Sequence, residues 1–176
     1  MNFDFSEEQL ALKEEARKFL AAKCPPDRVR KLMDEDSPGF DPQLSAQVAE
    51  QGWLGAAIPE EHGGLGLGYL ELCCISEELG RAVAPVPFAS TVYFFAEALL
   101  RAGTPEQKAK YLPRVVTGEL IGTIASAEQA GAVSVANISA EVSGGKLTGV
   151  KMPGTDGVVA HHAVVLAKEG GKPTLY

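Results

Sequence analysis

Hydrophobic and polar positions change their period once along this chain. Through Gly118 the apolar residues recur every three or four positions, as one face of a helix requires. Beyond it they fall in short β-branched or alternating runs. In "FSEEQLALKEEARKFLAAKC" the apolar face is Leu10, Leu12, Ala16, Phe19 and Leu20. Ser6 and Gln9 make a capping box, and Phe5 with Leu10 is placed as a hydrophobic staple. Glutamates crowd the early turns and Lys18 and Lys23 the late ones, as the helix dipole favours. Pro25 and Pro26 end the helix, and a short one carrying Val29, Leu32 and Met33 follows. After the turn "SPGFDPQL", Asp41 caps a helix with Pro42 at its first position, which runs to about Glu50 and stops at Gly52.

"WLGAAIPEEHGGLGLG" reads as a loop, because Pro59 and five glycines preclude regular structure. A helix from Tyr69 to about Arg81 presents Leu72, Ile75 and Leu79 on one side. "AVAPVPF" breaks it, and "ASTVYFFAEALLRAG" gives a largely buried helix ending at Gly103. The next begins with Thr104 as N-cap, Pro105 at N1 and Gln107 completing a second capping box; Pro113 is expected to disrupt or end it.

The strand-like runs are "LIGTIAS", "NISAEVS", "KLTGVKM", "VVAHHAVVLA" and "PTLY", with "SGGK" as a hairpin turn. The fold class expected is α+β: an all-α domain over residues 1–118, then an incomplete antiparallel β domain over residues 119–176. A sheet stopping mid-strand leaves exposed edges, so the natural polypeptide is expected to continue past Tyr176.

Composition narrows the function classes. Of 176 residues, 45% are hydrophobic and 22% charged, an ordinary globular balance. The net charge of −7 with no basic stripe argues against nucleic-acid binding. Three cysteines, Cys24 and the adjacent Cys73 and Cys74, make a poor disulfide framework and favour a reducing compartment. "MNFDFSEEQL" lacks the basic and apolar regions of a signal peptide, and no apolar run reaches the roughly 20 residues of a membrane span. A cytoplasmic location, with no membrane partner, is the expectation.

Candidate chemistry is sparse. "GGLGLG" lacks the Lys-Ser/Thr ending of a phosphate loop and follows no strand, so it reads as a tight structural turn. His161 and His162 point to opposite faces of a strand and cannot share a metal; His62 is isolated. Cys73 and Cys74 read as small core residues of a helix, and Glu60 and Glu61 as solvated loop carboxylates. No metal site and no catalytic residue is nominated.

The order of parts nevertheless resembles a known family. "PEEHGGLGLGYLELCCISEELGR" resembles the P-x-E-x-G-G-x-G…E-E-L-G-R stretch of acyl-CoA dehydrogenases. "GTPEQKAKYLPRVVTGELIGTIASAE" resembles their G-T-x-E-Q-K-x-K-Y-L-P…G-E segment, "KLTGVKM" their G-x-K strand, and "DFSEEQLALKEEARKFL" their first helix. The resemblance implies a helical N-terminal domain, a middle β domain and a C-terminal helical domain, the last absent from these residues. It implies FAD between the latter two, a glutamate of the C-terminal domain as base, and hence no base in this chain. An acyl-CoA thioester as substrate, homo- or hetero-oligomers, and an electron-transfer flavoprotein as partner are implied likewise.

The family's flavin loop reads L/V-T-E-P-x-A-G-S-D. Here Ser126 takes the Leu/Val position, Ala127 replaces the threonine, Glu128 matches and Gln129 replaces the proline. After a one-residue deletion Ala130 and Gly131 match, and Ala132 and Val133 replace the serine and aspartate. In the K-x-W/F-I/V-T segment Lys151 and Thr155 match while Pro153 and Gly154 replace the aromatic and the aliphatic. The resemblance thus puts the cofactor-binding positions at Ile124, Ser126, Ala127, Gly131, Ala132 and Thr155. Hydrogen bonds to a charged pyrophosphate are worth about 1.5–3 kcal/mol each, and an aromatic pair about 0.5–1.5 beyond burial. At about 1.4 kcal/mol per decade, these losses lower FAD affinity by up to several orders of magnitude, an upper bound because backbone N–H contacts survive such substitutions, and FAD is expected to be weakly bound or lost. "APVPFAST" resembles the branch acting on steroid and other bulky thioesters, where a flavin-deficient partner subunit is known. A non-catalytic oligomerisation scaffold is the alternative from another class.

Overall fold

The computed structural model describes residues 4–34, 37–129, 133–152 and 154–176. Helices occupy its first two thirds: α1 (Glu7–Lys23), α2 (Pro26–Asp34), α3 (Pro42–Glu50), α4 (Tyr69–Arg81), α5 (Glu97–Ala102) and α6 (Pro105–Val116). Their starts follow local chemistry. Ser6 Oγ accepts from Gln9 N at 3.2 Å while Gln9 Oε1 accepts from Ser6 N at 3.0 Å. Asp41 Oδ1 accepts from Leu44 N at 2.9 Å, and Thr104 and Gln107 repeat the reciprocal box. Gly52, with φ 75°, closes α3 in the left-handed region that glycine enters without penalty.

Burial sorts the predicted faces. Ala16 and Leu20 of α1 pack with Leu44, Val48, Trp53, Leu72, Ile75 and Leu79 in the main helical core. Leu10 is 52% exposed, so the α1 stripe is narrower than its apolar residues suggest. Cys74 is buried, but Cys73 is exposed, because at about 100° per residue it falls on the side of the helix away from the face that Ile75, Glu78 and Leu79 bury. The glycine-rich segment contains two single 3-10 turns, Trp53–Gly55 and Glu60–His62, where irregular loop was expected. It folds back on itself: Gly66 N donates to Ile58 O at 2.9 Å and Leu67 N to Ala56 O at 2.7 Å. A Cβ on Gly64 would lie 1.9 Å from Ile58 O, so this stretch is a structural turn held by close backbone approach.

Two further departures concern helices. α6 runs through Pro113 to Val116, contrary to expectation. Leu112 and Val115 on either side of the proline are fully buried, and that burial outweighs one missing backbone bond. The predicted helix after the proline segment starts as a π-helix, Ala89–Ala96, that leads directly into α5.

The sheet comprises β1 (Gly122–Ala125), β2 (Glu141–Ser143), β3 (Lys146–Thr148), β4 (His162–Glu169) and β5 (Lys172–Leu175). The α-then-β order is as expected, but the sheet is mixed, not antiparallel throughout. The hairpins β2–β3 and β4–β5 are antiparallel; β1 and β2 each run parallel to β4. Local turn signals specify only the hairpins, whereas the parallel pairs join strands separated by long connections. Gly144 and Gly145, at φ 57° and 75°, make the predicted hairpin turn. Val164 of β4 packs with Phe95, Leu99, Leu112, Val115 and Leu120, and this cluster attaches the sheet to the helices. Among the described residues no helix is long and apolar enough to cross a membrane.

Candidate functional site

The site of interest lies where β1 leaves the helical layer. β1 reaches this place because the π-helix holds it: Thr91 Oγ1 accepts from Gly122 N at 3.2 Å and donates to Gly122 O at 3.3 Å. Parallel pairing with β4 then carries the chain through Thr123 and Ile124 to Ala125. Beyond it the segment around residues 151–155 returns beside the strand end. Met152 N donates to Ala127 O at 2.9 Å, and the buried Thr123 hydroxyl donates to Thr155 O at 2.6 Å.

Glu128 organises the loop. Its Oε1 accepts from Lys151 Nζ at 2.7 Å and Ala140 N at 2.8 Å; its Oε2 accepts from Ser139 N at 2.7 Å and from the Ser139 hydroxyl. The side chains of Lys151 and Glu128 are only 9% and 10% exposed, so this is a nearly buried ion pair with most of the carboxylate's acceptor sites filled. Lys151 above all, then the Ser139 hydroxyl and the two backbone N–H groups, hold the Glu128 carboxyl far below the usual carboxylate range. Both residues stand out in the sequence; that they pair with each other is the part sequence reasoning missed, since 23 positions separate them.

Of the nominated cofactor positions, Ile124 lies in β1 and packs against the second core cluster. The Ser126 carbonyl accepts from Lys151 Nζ at 3.4 Å, the Ala127 carbonyl is bonded to Met152, and Thr155 is exposed with its carbonyl on Thr123. The structure therefore brings Ser126, Ala127 and Thr155 to one segment pair. Gly131 and Ala132, like Ala130 and Pro153, lie outside the described residues.

The described residues of the loop offer a flavin dinucleotide few side-chain partners. Residues 126–134 contain no Lys or Arg, and the nearby ammonium of Lys151 is committed to Glu128. The Ser134 hydroxyl accepts from Ala136 N at 3.3 Å, and residue 127 has only a methyl group. The hollow lined by Ser126, Glu128, Ser134 and Ile138 is about 10 Å³, room for one water molecule.

Two larger clefts border the segment that precedes the π-helix. One of about 380 Å³ lies between Pro85–Pro87 and the turn Asp156–Val159. The other, about 530 Å³, is mainly apolar, with Val29, Leu79, Val83, Pro85 and Phe88 among its walls. Both fall in the size range of small-molecule sites.

Two of the histidines are engaged within the fold. His161 Nδ1 accepts from Ile121 N at 3.0 Å, and His162 packs edge-on against Tyr111 with centroids 5.2 Å apart. No group of three or more potential metal ligands occurs among the described residues.

Comparison with known proteins agrees with this architecture. Residues 6–119 match the profile "Acyl-CoA dehydrogenase, N-terminal domain". Mitochondrial isovaleryl-CoA dehydrogenase from Arabidopsis thaliana is 36% identical over 174 residues, covering 96% of this chain and 42% of that protein. Among solved structures, a variant of the Tcur3481-Tcur3483 steroid ACAD is 35% identical with a TM-score of 0.84, covering 96% of this chain and 47% of that one. The ChsE4-ChsE5 complex from Mycobacterium tuberculosis gives 29% identity and a TM-score of 0.87, covering 100% of this chain and 48% of that one. The chain spans less than half the length of each of these relatives.

Proposed function

Because the chain belongs to the acyl-CoA dehydrogenase family, we propose that it serves in α,β-dehydrogenation of an acyl-CoA thioester, as a subunit that holds flavin weakly or not at all. In this reading residues 1–118 are the N-terminal helical domain and residues 119–176 the opening part of the middle β domain. The observation that carries it is the junction itself. The proline-broken segment Pro85–Pro87 and the Asp156–Val159 turn that follows the Thr155 strand contact face each other across one cleft of about 380 Å³.

FAD, the family's cofactor, supplies the acceptor for the hydride leaving the substrate's β-carbon. In this chain Ile124, Ser126, Ala127, Gly131, Ala132 and Thr155 occupy the positions that would face it, and no step is assigned to them. Nor is any of the 176 residues assigned as the base. The role proposed for them is to bind and orient: the proline segment and the Asp156–Val159 turn shape the space for the acyl group. Pro85 and Pro87 interrupt the helix at this wall, which supports a bulky acyl group over a straight one. Two structural relatives are a steroid enzyme and a two-protein complex, which supports pairing with an unlike, flavin-loaded subunit. An electron-transfer flavoprotein is the partner proposed for reoxidation.

The engaged donors around Glu128 favour a second reading, an oligomerisation scaffold without catalysis. Flavin absorbance of the purified protein, with and without a co-expressed homologue, tests both. The expected result is well under one FAD per chain alone, with a flavin-loaded unlike subunit co-purifying. One FAD per chain of this protein would overturn weak binding. An assembly loaded with flavin that turns over no acyl-CoA would leave the scaffold.

A further inference from the structure

Three hydroxyl side chains connect the π-helix, β1 and the turn after residue 153 in a closed circuit. Thr91 clamps both backbone groups of Gly122, and the next residue of the strand, Thr123, donates to Thr155 O at 2.6 Å. The adjoining Asp156 then returns to the π-helix, its Oδ2 accepting from Ser90 Oγ at 2.6 Å. Ser90 is fully buried, and its single proton has one other acceptor within reach, Pro87 O at 3.1 Å. The shorter bond to a carboxylate is the stronger of the two.

Asp156 itself is in the left-handed region, with φ 52°. Aspartate enters that region more readily than most non-glycine residues, and here it does so at the start of a turn. Its carbonyl accepts from Val159 N at 3.1 Å and Ala160 N at 3.0 Å, so the same residue shapes the turn and receives the clamp. The cleft of about 380 Å³ has Pro85–Pro87, which ends three residues before Ser90, on one wall and Asp156–Val159 on the other. The Ser90–Asp156 bond ties one wall to the other.

From this geometry we infer that Ser90 and Asp156 form a positioning latch that fixes the 154–159 turn against the π-helix and sets the width of the proline-lined cleft, and with it the bulk of acyl group admitted. The second half rests on the acyl-CoA reading; the latch does not. Neither residue is given a chemical step. Both act through the turn that they hold.

Hydrogen exchange separates the two halves. In Ser90→Ala the Val159 and Ala160 amides are expected to exchange about tenfold faster, as loss of a hydrogen bond to a charged group implies, while α1 amides stay unchanged. Asp156→Asn keeps an acceptor and a side chain tolerated at positive φ, so it is expected to stay near the parent; Asp156→Ala keeps neither and should follow Ser90→Ala. Titration of the parent assembly with n-octanoyl-CoA and cyclohexylacetyl-CoA, repeated with Ser90→Ala, reads the cleft: discrimination between the two should shrink at least threefold. Unchanged exchange in both Ser90→Ala and Asp156→Ala overturns the latch. Faster exchange with binding of neither thioester overturns the acyl reading and leaves the latch standing, and faster exchange with unaltered discrimination overturns the assignment of cleft width. Should Ser90→Ala fail to fold, the contrast between the two Asp156 variants decides.

Discussion

Gly122→Ala is expected to lower stability by about 3 kcal/mol or more, a large loss for the addition of one methyl group. A Cβ at this position would lie 2.1 Å from Phe95 Cγ, 2.3 Å from Cδ1 and 2.6 Å from Cβ. Neither side can yield easily. Phe95 is 3% exposed and packs edge-on against Tyr111 with centroids 6.2 Å apart. Gly122 is held at its N–H and its carbonyl by Thr91. The methyl therefore forces β1 off the π-helix, and with it the strand that leads to the candidate site. Thermal melts should show a drop in Tm of about 6–12 °C, with exchange rising at β1 before it rises in α1. Phe95→Ala is costly on its own, about 3–5 kcal/mol, but it removes two of the three clashing atoms. The double variant should thus lose clearly less than the sum of the singles. Full additivity would falsify the clash as the cause.

The parts of the fold legible in the sequence are those whose cause is local. Ser6, Asp41 and Thr104 cap helices through backbone groups three residues away, and Gly52, Gly144 and Gly145 supply conformations that few other residues adopt. The apolar triplet Leu72, Ile75 and Leu79 is buried because helical spacing alone puts it on one face. What escaped depends on partners far along the chain. The parallel pairing of β1 and β2 with β4 has no turn to announce it. Pro113 is a helix breaker by propensity, and only the burial of Leu112 and Val115 shows why the helix persists.

The candidate site divides in the same way. The resemblance nominated the loop and picked out Glu128, Lys151 and Thr155, residue by residue. It could not show that Glu128 and Lys151 neutralise each other, which matters because it removes a cation from any anionic ligand. Nor could it reveal the Ser90–Asp156 contact, made across 66 positions by a serine in a largely apolar helix. Hydroxyls in apolar helices are weak signals, since they bond their own backbone as readily as a distant carboxylate.

Glu78 carries the second large prediction, and its position in "SEELGR" explains part of that stretch. Its side chain is fully buried at the α1–α4 contact, where Oε1 accepts from Arg17 Nη2 at 2.7 Å and Oε2 from Arg17 Nε at 3.1 Å and Arg81 Nε at 2.8 Å. The Arg17 hydrogen bonds are the largest influence; burial opposes them and Arg81 adds to them, leaving the carboxyl at about 2. A carboxylate depressed on folding contributes stability that is complete above its unfolded value, near 4.3, and is lost as pH falls through the folded one. The window is therefore about pH 5 down to about 2, the lower end being the folded value. The linkage amounts to about 3 kcal/mol unscreened, and about 1–2 once solvent at the two half-exposed guanidiniums is allowed for. Glu78→Gln puts an amide N–H₂ among guanidinium donors. It should cost about 2–4 kcal/mol at pH 7, the lower part of the range for breaking a buried pair because both arginines still reach water. Denaturant midpoints from pH 7 to pH 2.5 check the assignment: the gap between parent and variant should narrow steadily below pH 5. A gap independent of pH would mean that packing, not charge, ties α1 to α4.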